Sequence, residues 1–215
     1  MGELMSEIIG EIIQTSTTEI TGQSKLKVDG PGFGSLVCAG KSSRCVAVVF
    51  NVEVVGPEGY RKPAMTGIAE DQLPAQHPQL FALMRKQFQA LLIGEIVNGR
   101  FLYGLPSRPP GLHAGVAHCG NELMQTIASD LGFFRLIYDS GRASSEELLL
   151  KVCINLLQAS GVNRKDELSS LKRSDEFETD KAAAVKIGKE LSQLYRDDYE
   201  TLRRMMARLD KWLKN

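Results

Sequence analysis

Four side chains capable of metal or acid–base chemistry stand within ten residues of one another: His113, His118, Cys119 and Glu122. His118 and Glu122 are four apart, a spacing that shares a face only on a helix, and only Glu122 falls clearly inside one. Zinc sites usually announce themselves as Cys-x2-Cys pairs or a His-Glu-x2-His run, and neither occurs here. A loop histidine and a buried thiol ahead of a helix account for the same residues, and that reading is preferred. A metal-dependent enzyme built around His113 and His118 is kept as a minor alternative.

The stretch from Gly34 to Ser42 approaches a phosphate-binding loop. A Gly-x4-Gly-Lys-Ser motif ending at Gly40-Lys41-Ser42 requires glycine at position 35, which is Ser35. Such a loop also has to open a helix whose first amides hold the phosphate, and here the chain runs into another strand. A β-turn is expected instead. No Gly-x-Ser-x-Gly elbow is present, nor a Cys/His pair with a plausible third member. His77 before Pro78 reads as a turn residue. No catalytic residue, no metal ligand and no cofactor is therefore assigned, and the chain is read as non-enzymatic.

The remaining chemistry is electrostatic and apolar, at the C-terminal end. Residues 201–215 carry Arg203, Arg204, Arg208, Lys211 and Lys214 against Asp210 alone. Cations in the last turns of a helix are favoured by its dipole, and the same cluster could instead grip DNA or an acidic partner. Apolar residues run through it at helical steps: Ile187, Leu191, Tyr195, Tyr199, Leu202, Met206, Leu209 and Leu213. Their mean spacing predicts one amphipathic helix over about 181–213, near 50 Å long at ~1.5 Å per residue. A small barrel cannot cover a helix of that length, so Leu202, Met206, Leu209, Trp212 and Leu213 are the expected partner interface. Arg203, Arg204, Arg208 and Lys211 are its candidate electrostatic contacts.

The elements upstream are of another kind. All 8 prolines lie before residue 111, and only Gly161 and Gly188 of the 20 glycines come after residue 144. Residues 7–14 predict a strand whose glycine makes a bulge or bend. Short strands follow at Glu19–Thr21, Lys25–Val28 and Leu36–Ala39. Val46, Val48, Phe50, Val52 and Val54 form the clearest period-two stripe, within Arg44–Gly56. Residues 57–77 read as a long loop and Pro78 opens a short helix. Asn98-Gly99 between Leu91–Val97 and Arg100–Tyr103 is a type I′ hairpin signal. From residue 119 the pattern turns helical. Asn121 should cap a helix to about Leu131, Phe133–Tyr138 reads as a strand or packed linker, and Ser144–Glu147 reads as a capping box. The helix it opens ends near Gly161, and residues 163–180 form a charged short helix or linker.

Composition narrows the classes further. The 215 residues carry 26 basic and 26 acidic side chains, so overall charge gives no reason to expect nucleic acid or an anionic membrane. No run approaches the ~18 apolar residues of a membrane span, and no signal-peptide pattern opens the chain. A cytoplasmic protein that does not engage membranes is expected. Cys38, Cys45, Cys119 and Cys153 do not make a disulfide framework in a chain this long. Cys38 and Cys45 have the spacing of a hairpin pair, although reduced core thiols are preferred.

Four pieces of the first part resemble the HAS-barrel domain, the small barrel of HerA-type DNA translocases and ATP synthase catalytic subunits. They are Ile9-Gly-Glu-Ile-Ile13 before a Ser/Thr-rich turn, Val46–Val55 followed by Gly56, the strand opening Leu92-Ile-Gly-Glu-Ile, and Pro109-Pro110-Gly111 leading to Val116. The resemblance covers about residues 5–120. It implies a barrel that assembles rings and docks a nuclease, without the ATPase motor and without a catalytic residue to carry over. The expected fold is α+β: a small N-terminal β-barrel over 5–118, then an α-helical region over 119–215 ending in the long amphipathic helix. The expected role is an assembly or adaptor module that forms a homo-oligomer or docks a ring ATPase, a nuclease or another DNA-processing component. The rival is a nucleic-acid-binding barrel with a basic C-terminal clamp, disfavoured because such barrels use exposed aromatic platforms and the strand aromatics here are few (Phe50, Phe101, Tyr103).

Overall fold

A strand whose odd and even residues are both apolar must find two cores, and Arg44–Val55 is such a strand. In the computed structural model its Cys45, Ala47 and Val49 face one core while Val46, Val48 and Phe50 face another. The structure describes residues 7–25, 28–40, 44–56, 67–68, 72–142, 144–161 and 174–214, with backbone alone for Leu73, Leu80, Phe81 and 174–181.

Seven strands make one antiparallel sheet: β1 (Ile8–Thr15), β2 (Glu19–Lys25), β3 (Leu36–Ala39), β4 (Arg44–Val55), β5 (Arg85–Val97), β6 (Arg100–Tyr103) and β7 (Gly115–His118). Six of them close a barrel in the circuit β1-β2-β5-β4-β3-β7, with β7 returning to β1. Closure depends on the length of β5. One of its edges lies along β4, while the other takes β2 over Arg85–Leu91 and β6 over Gly94–Val97. The β5–β6 turn has φ of 50° at Asn98 and 77° at Gly99, the double positive φ that a type I′ turn requires.

Ile12, Ile20, Val37, Val49, Phe88 and Leu92 fill the barrel. The register of β1 shifts between Ile8 and Gly10, the irregularity expected around that glycine. A Cβ on Gly10 would lie 2.8 Å from the Gln23 carbonyl oxygen and 3.3 Å from the Phe88 ring, so the strands meet there only because glycine has none.

Helices cover the outer wall made by β3, β4, β5 and β6. After the short α1 (Leu73–Gln76) and α2 (Pro78–Leu83), the covering set is α3 (Asn121–Ala128), α4 (Phe134–Asp139), α5 (Ser145–Ala159), α6 (Ser174–Leu194) and α7 (Tyr199–Lys214). Leu36, Val46, Val48, Phe50, Leu91, Ile93 and Phe101 supply the barrel's share of this second core. The fully buried Leu148, Leu149, Val152 and Cys153 of α5 lie at its centre. Phe101, Phe133 and Phe134 stack edge to face, with centroids 5.8 and 5.1 Å apart.

Several expectations change. The single helix over 181–213 is two helices, because the chain turns at residues 195–198 and Asp198 caps α7 by accepting from the Thr201 amide at 3.0 Å. On α7 the buried positions are Thr201, Met205 and Leu209, so the stripe's Tyr199, Met206 and Leu213 fall outside the core face. Of the charged linker, 174–180 begin α6, and 163–173 lie outside the described residues. Gly120, not Asn121, is the N-cap of α3, without a side-chain bond. Phe133–Tyr138 is mainly the short α4 rather than a strand, since Phe134 and Ile137, three apart, both bury. β2 runs on from Glu19–Thr21 to Lys25, while residues 26–27 of the expected Lys25–Val28 strand lie outside the described residues, and β5 begins at Arg85 rather than Leu91. Cys38 pairs with Val46 and Ala39 with Cys45, a one-residue offset that places Cys38 and Cys45 on opposite faces.

Candidate functional site

The C-terminal stripe divides once its surroundings are known. Leu209 is buried with Met205 against the helical core, Leu202 and Trp212 pack partly against it, and Met206 and Leu213 remain exposed. The basic residues divide too. Arg208 forms a two-pronged pair with Glu147, one prong being Nη2 to Oε2 at 2.8 Å, and Arg204 reaches Glu146 at 3.3 Å. Both acids lie in the first turn of α5, where the helix dipole already favours them. The Arg208 guanidinium holds the Glu147 carboxyl below its ordinary range, and the carboxylate raises Arg208 in return. The Ser144 hydroxyl accepts from the Glu147 amide at 3.4 Å as a cap should, while the Glu147 side chain has gone to α7 instead of closing the box. Arg203 and Lys211 lie exposed on α7.

The histidine cluster does not assemble. His113 sits in a tight turn with φ of 59°, and its Nδ1 lies 3.5 Å from a Glu11 carboxylate oxygen. His118 ends β7 and lines a different place, a shallow cavity of about 280 Å³ with Cys119, Asn121, Met124 and Asn155. Among the described residues no group of three His, Cys, Asp or Glu side chains converges to hold a metal ion. Of the near-miss phosphate loop, Gly40 has φ of 96° at the end of β3, and residues 41–43 lie outside the described residues.

Two features lay beyond motif reading. The first is β6. Barrel closure gives every other strand two neighbours, whereas among the described residues β6 pairs with β5 alone. Phe101 points into the helical core, so alternation turns Leu102 outward, about half exposed, with Tyr103 and Leu105 exposed beside it. A Cβ on Gly94 would collide with the Phe101 ring and lie 2.5 Å from the Leu102 carbonyl, so glycine there lets the hairpin close tightly. The hairpin signal pointed to this element, but its status as an edge depends on which strands close the barrel.

The second is a pair of thiols. The Cys38 thiol is held down to about 7, chiefly by its hydrogen bond with the Cys119 thiol and also by the Arg44 charge, against burial pushing the other way. Cys119 is raised correspondingly, by that hydrogen bond and by burial. Burial also raises Cys45 and Cys153.

Compared with known proteins, the chain matches no protein-family model and no curated sequence. Among the described residues, no helix is long and apolar enough to cross a membrane.

Proposed function

We propose that the chain is a non-enzymatic assembly or adaptor module whose barrel docks through the open edge of β6. The observation that carries this reading is the edge itself. A four-residue strand with one neighbour among the described residues offers unpaired backbone donors and acceptors, and exposed Leu102, Tyr103 and Leu105 add apolar contact. Such an edge invites an added strand from a second copy or a partner. Met206 and Leu213 on α7 offer further apolar contact. The partner class, a ring ATPase or another DNA-processing component, comes from the HAS-barrel resemblance carried by Ile9–Ile13, Val46–Val55, Leu92–Ile96 and Pro109–Gly111. The closed antiparallel barrel is compatible with that likeness. The ion pairs of Arg204 and Arg208 speak against a free basic clamp for nucleic acid.

The test compares wild type with Leu102→Lys, a change on the solvent face that leaves Phe101 packed. Light scattering should show association that the variant loses, or a tagged wild-type bait should recover a translocase or nuclease component that the variant does not. A wild-type monomer at its highest soluble concentration, recovering no such component, overturns the proposal.

A further inference from the structure

Strand register brings two cysteines from distant parts of the chain onto one face. Cys38 pairs with Ala117, and the Cys119 amide donates to the Leu36 carbonyl at 3.0 Å, so Leu36, Cys38, Ala117 and Cys119 alternate to the same side. Cys38 and Cys119 are thus diagonal neighbours on one face of the β3–β7 pair. Arg44, two residues from the Val46 that pairs with Cys38, lies on this side as well. Cys119 forms part of the wall of the 280 Å³ cavity with His118, Asn121 and Asn155, which brings a small polar reagent as far as Cys119, next to Cys38. Cys38 keeps 9% of its surface exposed. The other two thiols have neither feature: Cys45 faces the barrel interior and Cys153 the centre of the helical core.

We propose that Cys38 and Cys119 are a modification site for hydrogen peroxide, oxidised together to an intramolecular disulfide that ties β3 to the segment leaving β7. In the first step the Cys38 thiolate attacks one peroxide oxygen. The O–O bond breaks, sulfur is oxidised by two electrons, and hydroxide leaves to take up a proton as water. In the second step the Cys119 sulfur attacks the Cys38 sulfenic acid. The S–S bond forms, the S–O bond breaks, and a second water departs with the Cys119 proton. Two thiols and one peroxide become one disulfide and two waters, and a dithiol reductant reverses the change. The electrostatics suit these roles: Cys38 is the thiol held low and Cys119 the one kept protonated as donor.

Each cysteine falls in a different tryptic peptide, so mass mapping of the full-length chain decides the matter. After stoichiometric hydrogen peroxide and blocking with N-ethylmaleimide, the Cys38 and Cys119 peptides should appear joined and lighter by two hydrogens. Dithiothreitol should separate them. Cys119→Ser should instead leave a Cys38 sulfenic acid that dimedone traps, and Cys38→Ser should abolish both products. In the untreated wild type, iodoacetamide should label Cys38 about tenfold faster than Cys45 or Cys153 at neutral pH. A wild-type map in which Cys38 and Cys119 stay separate, or pair between chains, overturns the proposal whether or not the variants fold.

Discussion

Inside the barrel a single aromatic ring sets the terms on which three strands meet. Phe88 of β5 is fully buried and lies directly across from Gly22 of β2, with Gly10 of β1 against its edge. A methyl group on Gly22 would overlap that ring. The ring has no solvent to move into, so the backbone has to yield. Overpacking of this kind costs about 1–3 kcal/mol. Gly22→Ala should therefore lower the midpoint of urea unfolding, and pairing it with Phe88→Leu should recover part of the loss measured against Phe88→Leu alone. A midpoint unmoved by Gly22→Ala would show that the ring does not constrain the strand. The sequence marked Gly10 as a strand glycine and left Gly22 between two short strands, and it did not show the partner for which each makes room. That partner follows from register, which depends on the closure of the whole sheet.

Among the elements, α7 is fastened to α5 by apolar contact through Met205 and Leu209 and by the Glu147–Arg208 pair. Glu147 titrates below its ordinary value of 4.5 in the folded chain. A depressed carboxylate contributes stability that is present above the unfolded value and is lost as pH falls through the folded one. Both side chains are nearly half exposed, so solvent screens the pair and its worth is about 0.2–1 kcal/mol. Glu147→Gln should cost about that much at pH 7 by chemical denaturation, and the gap from wild type should close as pH falls below 4.5. A gap that persists unchanged at lower pH would assign the loss to packing rather than charge. The extent of these elements was only partly legible. Period-two stripes and the Asn98-Gly99 turn placed β1, β3, β4 and β6, and the Ser144 cap with Gly161 bracketed α5. The break before α7 was hidden because apolar residues happen to continue at helical steps across it, although the stripe's Tyr199, Met206 and Leu213 are exposed and α7 buries Met205 and Leu209. The signal that reveals it is local: Arg196-Asp197-Asp198 followed by Thr201, with aspartate where an N-cap belongs.

At the scale of the whole molecule, β4 and β5 serve as a wall with a core on either side. Ala47, Val49, Ala90 and Leu92 fill the barrel, while Val46, Val48, Leu91 and Ile93 form the floor under the helices. Removing the helices would expose that floor as a contiguous apolar face, and removing the barrel would strip one side from the helical core. Neither half can give up its share of the wall without exposing buried surface, so the two should unfold together. Trp212 is the sole tryptophan and packs against the helical core from α7, so its fluorescence follows the helical layer. Amide exchange at Leu92 and Val49 follows the barrel. The expected result is one transition in denaturant, with the fluorescence midpoint coincident with that of far-ultraviolet circular dichroism and with loss of amide protection in the barrel. Fluorescence melting well before the barrel amides exchange would mean that the helices dock on a barrel stable without them. The shared wall also explains why the stripe in Arg44–Val55 was the plainest signal in the chain but did not say what covered it. Alternation records that two faces exist; the burial of Val46, Val48 and Phe50 in the core shared with the helices, with Val52 and Val54 left exposed beyond, depends on contacts with residues some hundred positions away.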